Sequence, residues 1–208
     1  MDTSLPDAIL GLAVLLVSVV IHENAHGVVA LALGDPTAQR AKRITLNPIR
    51  HLDLVGSLIL PAVMYFSTGS MFGYAKPVPV NPRNLKGTDR MGFAIVAAAG
   101  PLSNMVLAFI AAALLDPSQV FDADIATKIL IFFVEWNLLL AAFNLLPIPP
   151  LDGSRFLRVF LSVPGRQRLD RIEPYGFLIL LGLILFLQEP LFRVIDWIRS
   201  GLIRLLPI

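Results

Sequence analysis

The chain has 208 residues, the length of one ordinary domain. Apolar residues make up 56% of it and charged residues 15%, with a mean hydropathy of +0.74. Soluble domains carry about 25% charged residues, so the composition speaks against a freely soluble enzyme and, being rich in Leu, Ile, Val and Phe, against disorder. The formal net charge of +2 gives no reason to expect nucleic acid, and the absence of cysteine excludes disulfides, thiol catalysis and thiolate metal sites.

The first apolar run covers residues 8–21 and continues through polar residues to position 33. Its leading residues are acidic (Asp2, Asp7) rather than basic, and His22-Glu23 follows it instead of a small-residue cleavage site, so it reads as a retained span and not a signal peptide. Residues 54–74 are uncharged but broken by Gly56, Pro61, Gly69 and Gly73. Residues 92–115 carry no charge and 129–151 carry one, Glu135. With the first run, these two are long enough to cross about 30 Å of hydrocarbon as helices. Residues 175–187 are apolar but short, a candidate fourth span, and 191–208, with Arg193, Asp196, Arg199 and Arg204, read as an amphipathic helix in the interface.

Lys and Arg set the orientation. Arg40, Lys42, Arg43 and Arg50 follow the first span; Lys76, Arg83, Lys86 and Arg90 precede the second; Arg155, Arg158, Arg166, Arg168 and Arg171 follow the third. Residues 1–7 and 116–124 contain neither Lys nor Arg. The basic loops are therefore expected in the cytoplasm. Both flanks of 54–74 are basic, which predicts a re-entrant element that dips in and returns; a full span that violates the charge rule is the alternative. The expected fold is an all-α polytopic membrane protein of one domain, residues 1–208. It has a three-helix core within 8–158, a re-entrant or short β element between the first two core helices, and short C-terminal helices over 172–208.

His22-Glu23-Asn24-Ala25-His26 is an HExxH sequence on the first span. Residues four apart share a helix face, so His22 and His26 can grip one ion with Glu23 beside it. Zinc suits imidazole and carboxylate donors and keeps an open position for water, whose pKa falls to about 7 when bound. Glu23 would take that water's proton and pass it to the leaving amine. Three ionisable groups inside an apolar span are costly and by default functional; a proton relay or metal transporter stays open as another reading.

A third protein ligand is needed. His22 lies 14 residues beyond Ala8, about 21 Å along the helix, and so toward the cytoplasmic side. Asp152 falls at that level, after Pro147, Pro149 and Pro150 break the third span. Glu135 sits near the outer end. Without the partner motif, Leu151-Asp152-Gly153 would read as an exposed turn. His51 and Asp53 read as a loop hydrogen-bond cluster, with an alternative ligand pair as the sharper reading.

Three motifs in this order, His22–His26, Gly100-Pro101-Leu102-Ser103-Asn104 and Asn144 to Asp152-Gly153, resemble the site-2 protease family of intramembrane zinc metalloproteases, in a compact prokaryotic form. The stretch from Phe72-Gly73-Tyr74 to Val80-Asn81-Pro82 is similar to the linker of compact members. The resemblance implies one zinc per chain held by His22, His26 and Asp152, Glu23 as base, Asn144 beside the site in a catalytic role, and Asn104 supporting fold or site. It implies a transmembrane protein substrate and a multi-pass location in the cell membrane with the site toward the cytoplasm. Loop 116–124 is too short for a PDZ insertion, and no regulatory domain is expected after position 208. A helical substrate must unwind before attack, and Ile44-Thr45-Leu46 and Val78-Pro79-Val80 are candidate edge strands to hold it. A catalytically silent membrane scaffold is the rival from another class.

Overall fold

The computed structural model describes residues 4–68, 73–86, 89–116, 118, 120 and 123–207. Helix α1 covers Leu5–Ala32, with the Ser4 side chain accepting from the Asp7 amide at its start. Gly34, at φ 101°, turns the chain at its end, and the Asp35 amide bonds the Ala30 carbonyl. The short α2 (Thr37–Arg40) and a 3-10 turn (Pro48–His51) follow. A π-turn (Leu54–Ile59) continues into α3 (Leu60–Thr68). Helix α4 covers Asp89–Leu114 and α5 covers Ile125–Asn144. Four shorter helices complete the chain: α6 (Asp152–Leu157), α7 (Val163–Ile172), α8 (Gly176–Phe186) and α9 (Gln188–Ile203).

Helices α1, α4 and α5 are long and apolar enough to cross a membrane, and they pack on one another. Ala108, Ala111 and Ala112 of α4 meet Val134 and Leu138 of α5 in a buried cluster. Small residues allow such close approach where no hydrophobic force separates helix from lipid. Outside, Leu102, Val106, Phe109 and Leu114 stand exposed along α4. A row of this kind is a liability in water and the expected face toward hydrocarbon. This is a membrane protein of helical type.

Two expectations need correction. No strand occurs among the described residues, so the short β element is absent there: the π-turn and α3 stand in 54–68, and residues 73–81 run as extended chain without a ladder. The reason lies in the backbone. Pro77 and Pro79 have no amide hydrogen, and the Val78 amide is taken by the Glu23 carboxylate. The Thr45 carbonyl is taken by Asn24 and His51. Each candidate edge has thus given up a backbone group to the protein itself. Phe72 of the linker lies outside the described residues.

The second correction concerns the C-terminal helices. Helix α8 has 11 residues, about 16 Å at 1.5 Å per residue, too short to cross alone. The stretch containing it meets α9 at 102°. Helix α9 is not merely interfacial. Its Ile195 is fully buried with Met64, Leu146, Leu180 and Ile184, and Arg199 pairs with Glu135 of α5. Trp197 remains 77% exposed on its other face.

Candidate metal centre

The site is built from α1, α4 and the turn beyond α5. His22 and His26 lie one turn apart on α1, both buried. After α5 ends at Asn144, the proline-rich turn brings the chain back, and α6 opens on Asp152. Gly153 allows this. A Cβ there would stand 2.3 Å from the Leu145 carbonyl oxygen and 2.4 Å from that of Leu146. The start of α6 can therefore sit on the end of α5, which aims Asp152 into the bundle.

His22 Nε2 and His26 Nε2 lie 3.1 Å apart, and Asp152 Oδ2 lies 3.2 Å from the first and 3.1 Å from the second. Each imidazole is held from behind. His22 Nδ1 donates to Asn104 Oδ1 at 2.6 Å, and His26 Nδ1 donates to the Val96 carbonyl at 2.7 Å. With the protons on Nδ1, two Nε2 lone pairs and a carboxylate oxygen converge on one point. Such an arrangement is repulsive unless a cation, or a proton on an imidazole, lies among them. For zinc with bonds of about 2.0–2.2 Å, a tetrahedral site requires donor separations of about 3.3–3.5 Å. The observed triangle is close to that face, and the donor types and second partners also suit zinc.

Gly100 of α4 clears the space. A Cβ at this position would lie 2.5 Å from both His22 Nε2 and His26 Nε2. Asp152 Oδ1 faces Arg155 Nη1 at 3.4 Å, and the Arg155 guanidinium lies over the Phe93 ring at 5.5 Å. Glu23 Oε2 accepts from the Val78 amide at 2.8 Å. Gly27 makes the surrounding approach possible, since its missing Cβ would stand 3.0 Å from Ile44 and 3.3 Å from Val78.

The structure thus brings together His22, His26 and Asp152, the one such His/Asp/Glu cluster among the described residues. It does not bring in His51 or Asp53. His51 Nε2 donates to the Thr45 carbonyl, and Asp53 caps the π-turn by accepting from the Val55 and Gly56 amides. Asn144 Nδ2 donates to the Leu140 carbonyl on its own helix. Sequence reasoning missed Asn24, whose Nδ2 ties the Thr45 carbonyl to α1 at 2.7 Å, and Arg155. An amide inside an apolar span and a base three residues into α6 were the available signals. It also missed Asn137, which contacts Asn104 rather than a ligand.

Asp35, on the loop after α1, is fully buried. It accepts from the Thr37 amide and hydroxyl, Asn84 Nδ2 and the Asn81 amide. Burial pushes its pKa up, but these donors outweigh burial and leave it below the ordinary carboxylate value. The same bonds fix residues 81–84 beside the end of α1, a few residues from the Val78 amide that meets Glu23.

Peptidase family M50 matches the chain over residues 116–187. YwhC of Bacillus subtilis is 39% identical over 190 residues, 88% of this chain and 82% of that protein. Rip2 of Mycolicibacterium smegmatis is 30% identical over 208 residues, 94% of this chain and 77% of that protein. The names of both carry the words zinc metalloprotease. MJ0392 of Methanocaldococcus jannaschii, named a zinc metalloprotease, is 31% identical over 149 residues, 71% of this chain and 33% of that protein. No solved structure matches the chain. With the buried His-His-Asp triangle on membrane-length helices and relatives matched over most of their length, the chain belongs to peptidase family M50, the site-2 proteases.

Proposed function

We propose that the chain is an intramembrane zinc metalloprotease that hydrolyses a peptide bond within or near a transmembrane segment of another membrane protein. The observation that carries this reading is the convergence of His22 Nε2, His26 Nε2 and Asp152 Oδ2 within 3.2 Å of one another, with both histidines on a helix long and apolar enough to cross a membrane. His22, His26 and Asp152 would hold one zinc. Zinc supplies a Lewis acid for the scissile carbonyl and lowers the pKa of water in its open position to about 7.

The protein's own residues do the rest. Glu23, next to His22 in the chain, takes a proton from the attacking water and delivers it to the leaving amine nitrogen as the C–N bond breaks. The Val78 amide orients one of its carboxylate oxygens. Asn144 is assigned the role of holding the substrate or the developing oxyanion, which requires its release from the Leu140 carbonyl. Asp152 stays ionised with Arg155 at its second oxygen. An unwound substrate segment lies against the stretches around Ile44 and Val78, the two that approach Gly27.

The active end faces the cytoplasm of the cell membrane, as the basic loops on that end favour. On this reading residues 54–68 enter and the chain is back by 73–76, as a re-entrant hairpin would require. Supporting this, the Tyr74 amide bonds the Gly56 carbonyl at 3.0 Å and the Lys76 amide bonds that of His51 at 2.8 Å, so the chain returns to where it left. Cysteine labelling at Arg50 and Lys76 from opposite sides would overturn the hairpin.

Zinc content and cleavage of a membrane-embedded reporter, measured on the purified wild type and Asp152→Ala, test the main reading. About one zinc in the wild type, lost together with cleavage in the variant, is expected. Full metal retention by the variant would refute the ligand set. Cleavage unaffected by Glu23→Gln would refute Glu23 as the base, and complementation of a deletion by Glu23→Gln as well as by the wild type would favour a scaffold over the enzyme.

A further inference from the structure

We propose that Asn137 on α5 is a positioning residue that sets the tautomer of His22 through Asn104. The argument starts from a group with only one possible role. The Phe133 carbonyl oxygen can only accept, and it accepts from Asn137 Nδ2 at 2.8 Å. The Ser18 hydroxyl oxygen lies 2.9 Å from the same nitrogen. Both hydrogens of the Asn137 amide are then used on one side, and its Oδ1 faces α4. There it accepts from Asn104 Nδ2 at 2.7 Å. Asn104 in turn presents Oδ1 to His22 Nδ1 at 2.6 Å.

The polarity of the Phe133 carbonyl is thereby passed through two amides to a metal ligand. Oδ1 of Asn104 demands a hydrogen on Nδ1 of His22, which leaves Nε2 bare toward Asp152 and the metal position. Ser18, Asn104 and Asn137 are each 0% exposed, and the four residues come from α1, α4 and α5 in the middle of the bundle. No bulk water is at hand to replace a lost partner, so the chain is fixed only while every member is present. Remove Asn137, and Asn104 loses the acceptor that keeps it from turning over. Its NH2 would then face Nδ1 and favour the tautomer with hydrogen on Nε2, where zinc has to bind. Neither Asn137 nor Ser18 touches substrate or metal.

The proposal rests on the zinc reading for its consequence, but its first test needs no metal. Only three histidines occur in the chain, so 15N-histidine NMR of the full-length, chelator-treated protein in nanodiscs resolves each ring. The wild type is expected to show His22 protonated at Nδ1. A His22 Nδ1 that carries no hydrogen would overturn the proposal without touching the zinc reading. In Asn137→Leu, a mixture or reversal of the His22 tautomer is expected, with a loss of zinc affinity of about 10- to 100-fold in chelator competition. In Asn137→Asp, which still offers Asn104 an acceptor, the Nδ1–H tautomer is expected to persist. A merely structural role predicts damage in both variants with no change of tautomer in either, and that result would refute it. Should Asn137→Leu fail to fold, the wild-type spectrum and the Asp variant still decide. Wild-type protein with the expected tautomer but no zinc binding would leave the proposal standing and sink the enzyme reading.

Discussion

The outer and inner halves of the three-helix bundle are built by different means. Toward the end of the bundle away from the triangle, here called outer, Ala108, Ala111 and Ala112 pack on Val134 and Leu138 in an apolar cluster. The tip is closed by a partly exposed ion pair, Asp7 with Lys128 at 2.9 Å. From Ser18 inward, the same helices bury a connected set of polar side chains: Ser18, Asn137, Asn104, His22, His26 and Asp152. Apolar packing tolerates small shifts, because dispersion has no direction. A hydrogen-bonded network does not, since each donor must meet its acceptor. The outer half therefore holds the helices together, and the inner half holds three donor atoms at one point.

That contrast predicts where substitutions matter. Glu23→Gln should lower cleavage by about 10²- to 10⁴-fold, the range for loss of a general base, while zinc content stays near wild type; metal analysis beside a reporter assay checks both. Gly100→Ala inserts a methyl 2.5 Å from both Nε2 atoms. It should reduce cleavage by about 10²-fold, as expected for a misplaced catalytic centre, and here the zinc should go too. A fully active Gly100→Ala would show that the inner half tolerates shifts as the outer one does.

Asp35 gives a smaller effect, read on stability. Its folded pKa lies below the unfolded value, so its contribution is complete above about pH 4 and is lost as the pH falls through the folded value. Asp35→Asn should cost about 2 kcal/mol at neutral pH, the scale of hydrogen bonds to a charged group, and should flatten the acid end of a pH–stability profile. An unchanged profile would break the assignment. Last comes Lys128→Ala at the outer tip. A partly exposed pair contributes about 0–1 kcal/mol, so melting should move little and cleavage not at all. A large loss of cleavage would erase the division between the halves.

Much of this was legible in the order of residues. The spans announced themselves by length and lack of charge, and the ligands by HExxH and by the depth of Asp152. The β-prone look of 44–46 and 78–80 misled, because propensity says nothing of where amides and carbonyls are already spent. Asn24 spends one at Thr45 and Glu23 spends another at Val78. For the C-terminal helix the pattern was right but incomplete. An amphipathic pattern shows that a face is apolar, not whether lipid or protein covers it, and here Met64, Leu146 and Leu180 cover Ile195.

By itself the sequence determined the apolar character of the protein, the candidate spans and which side chains are candidates for metal chemistry, because hydropathy, charge and helical spacing are local properties. Tertiary structure alone decided that Gly100 leaves room for two imidazoles, that Gly153 seats α6 on the end of α5, and that Asn137 reaches His22 through Asn104. Those contacts join residues dozens of positions apart, and only the packing of α1, α4 and α5 brings them within hydrogen-bonding reach.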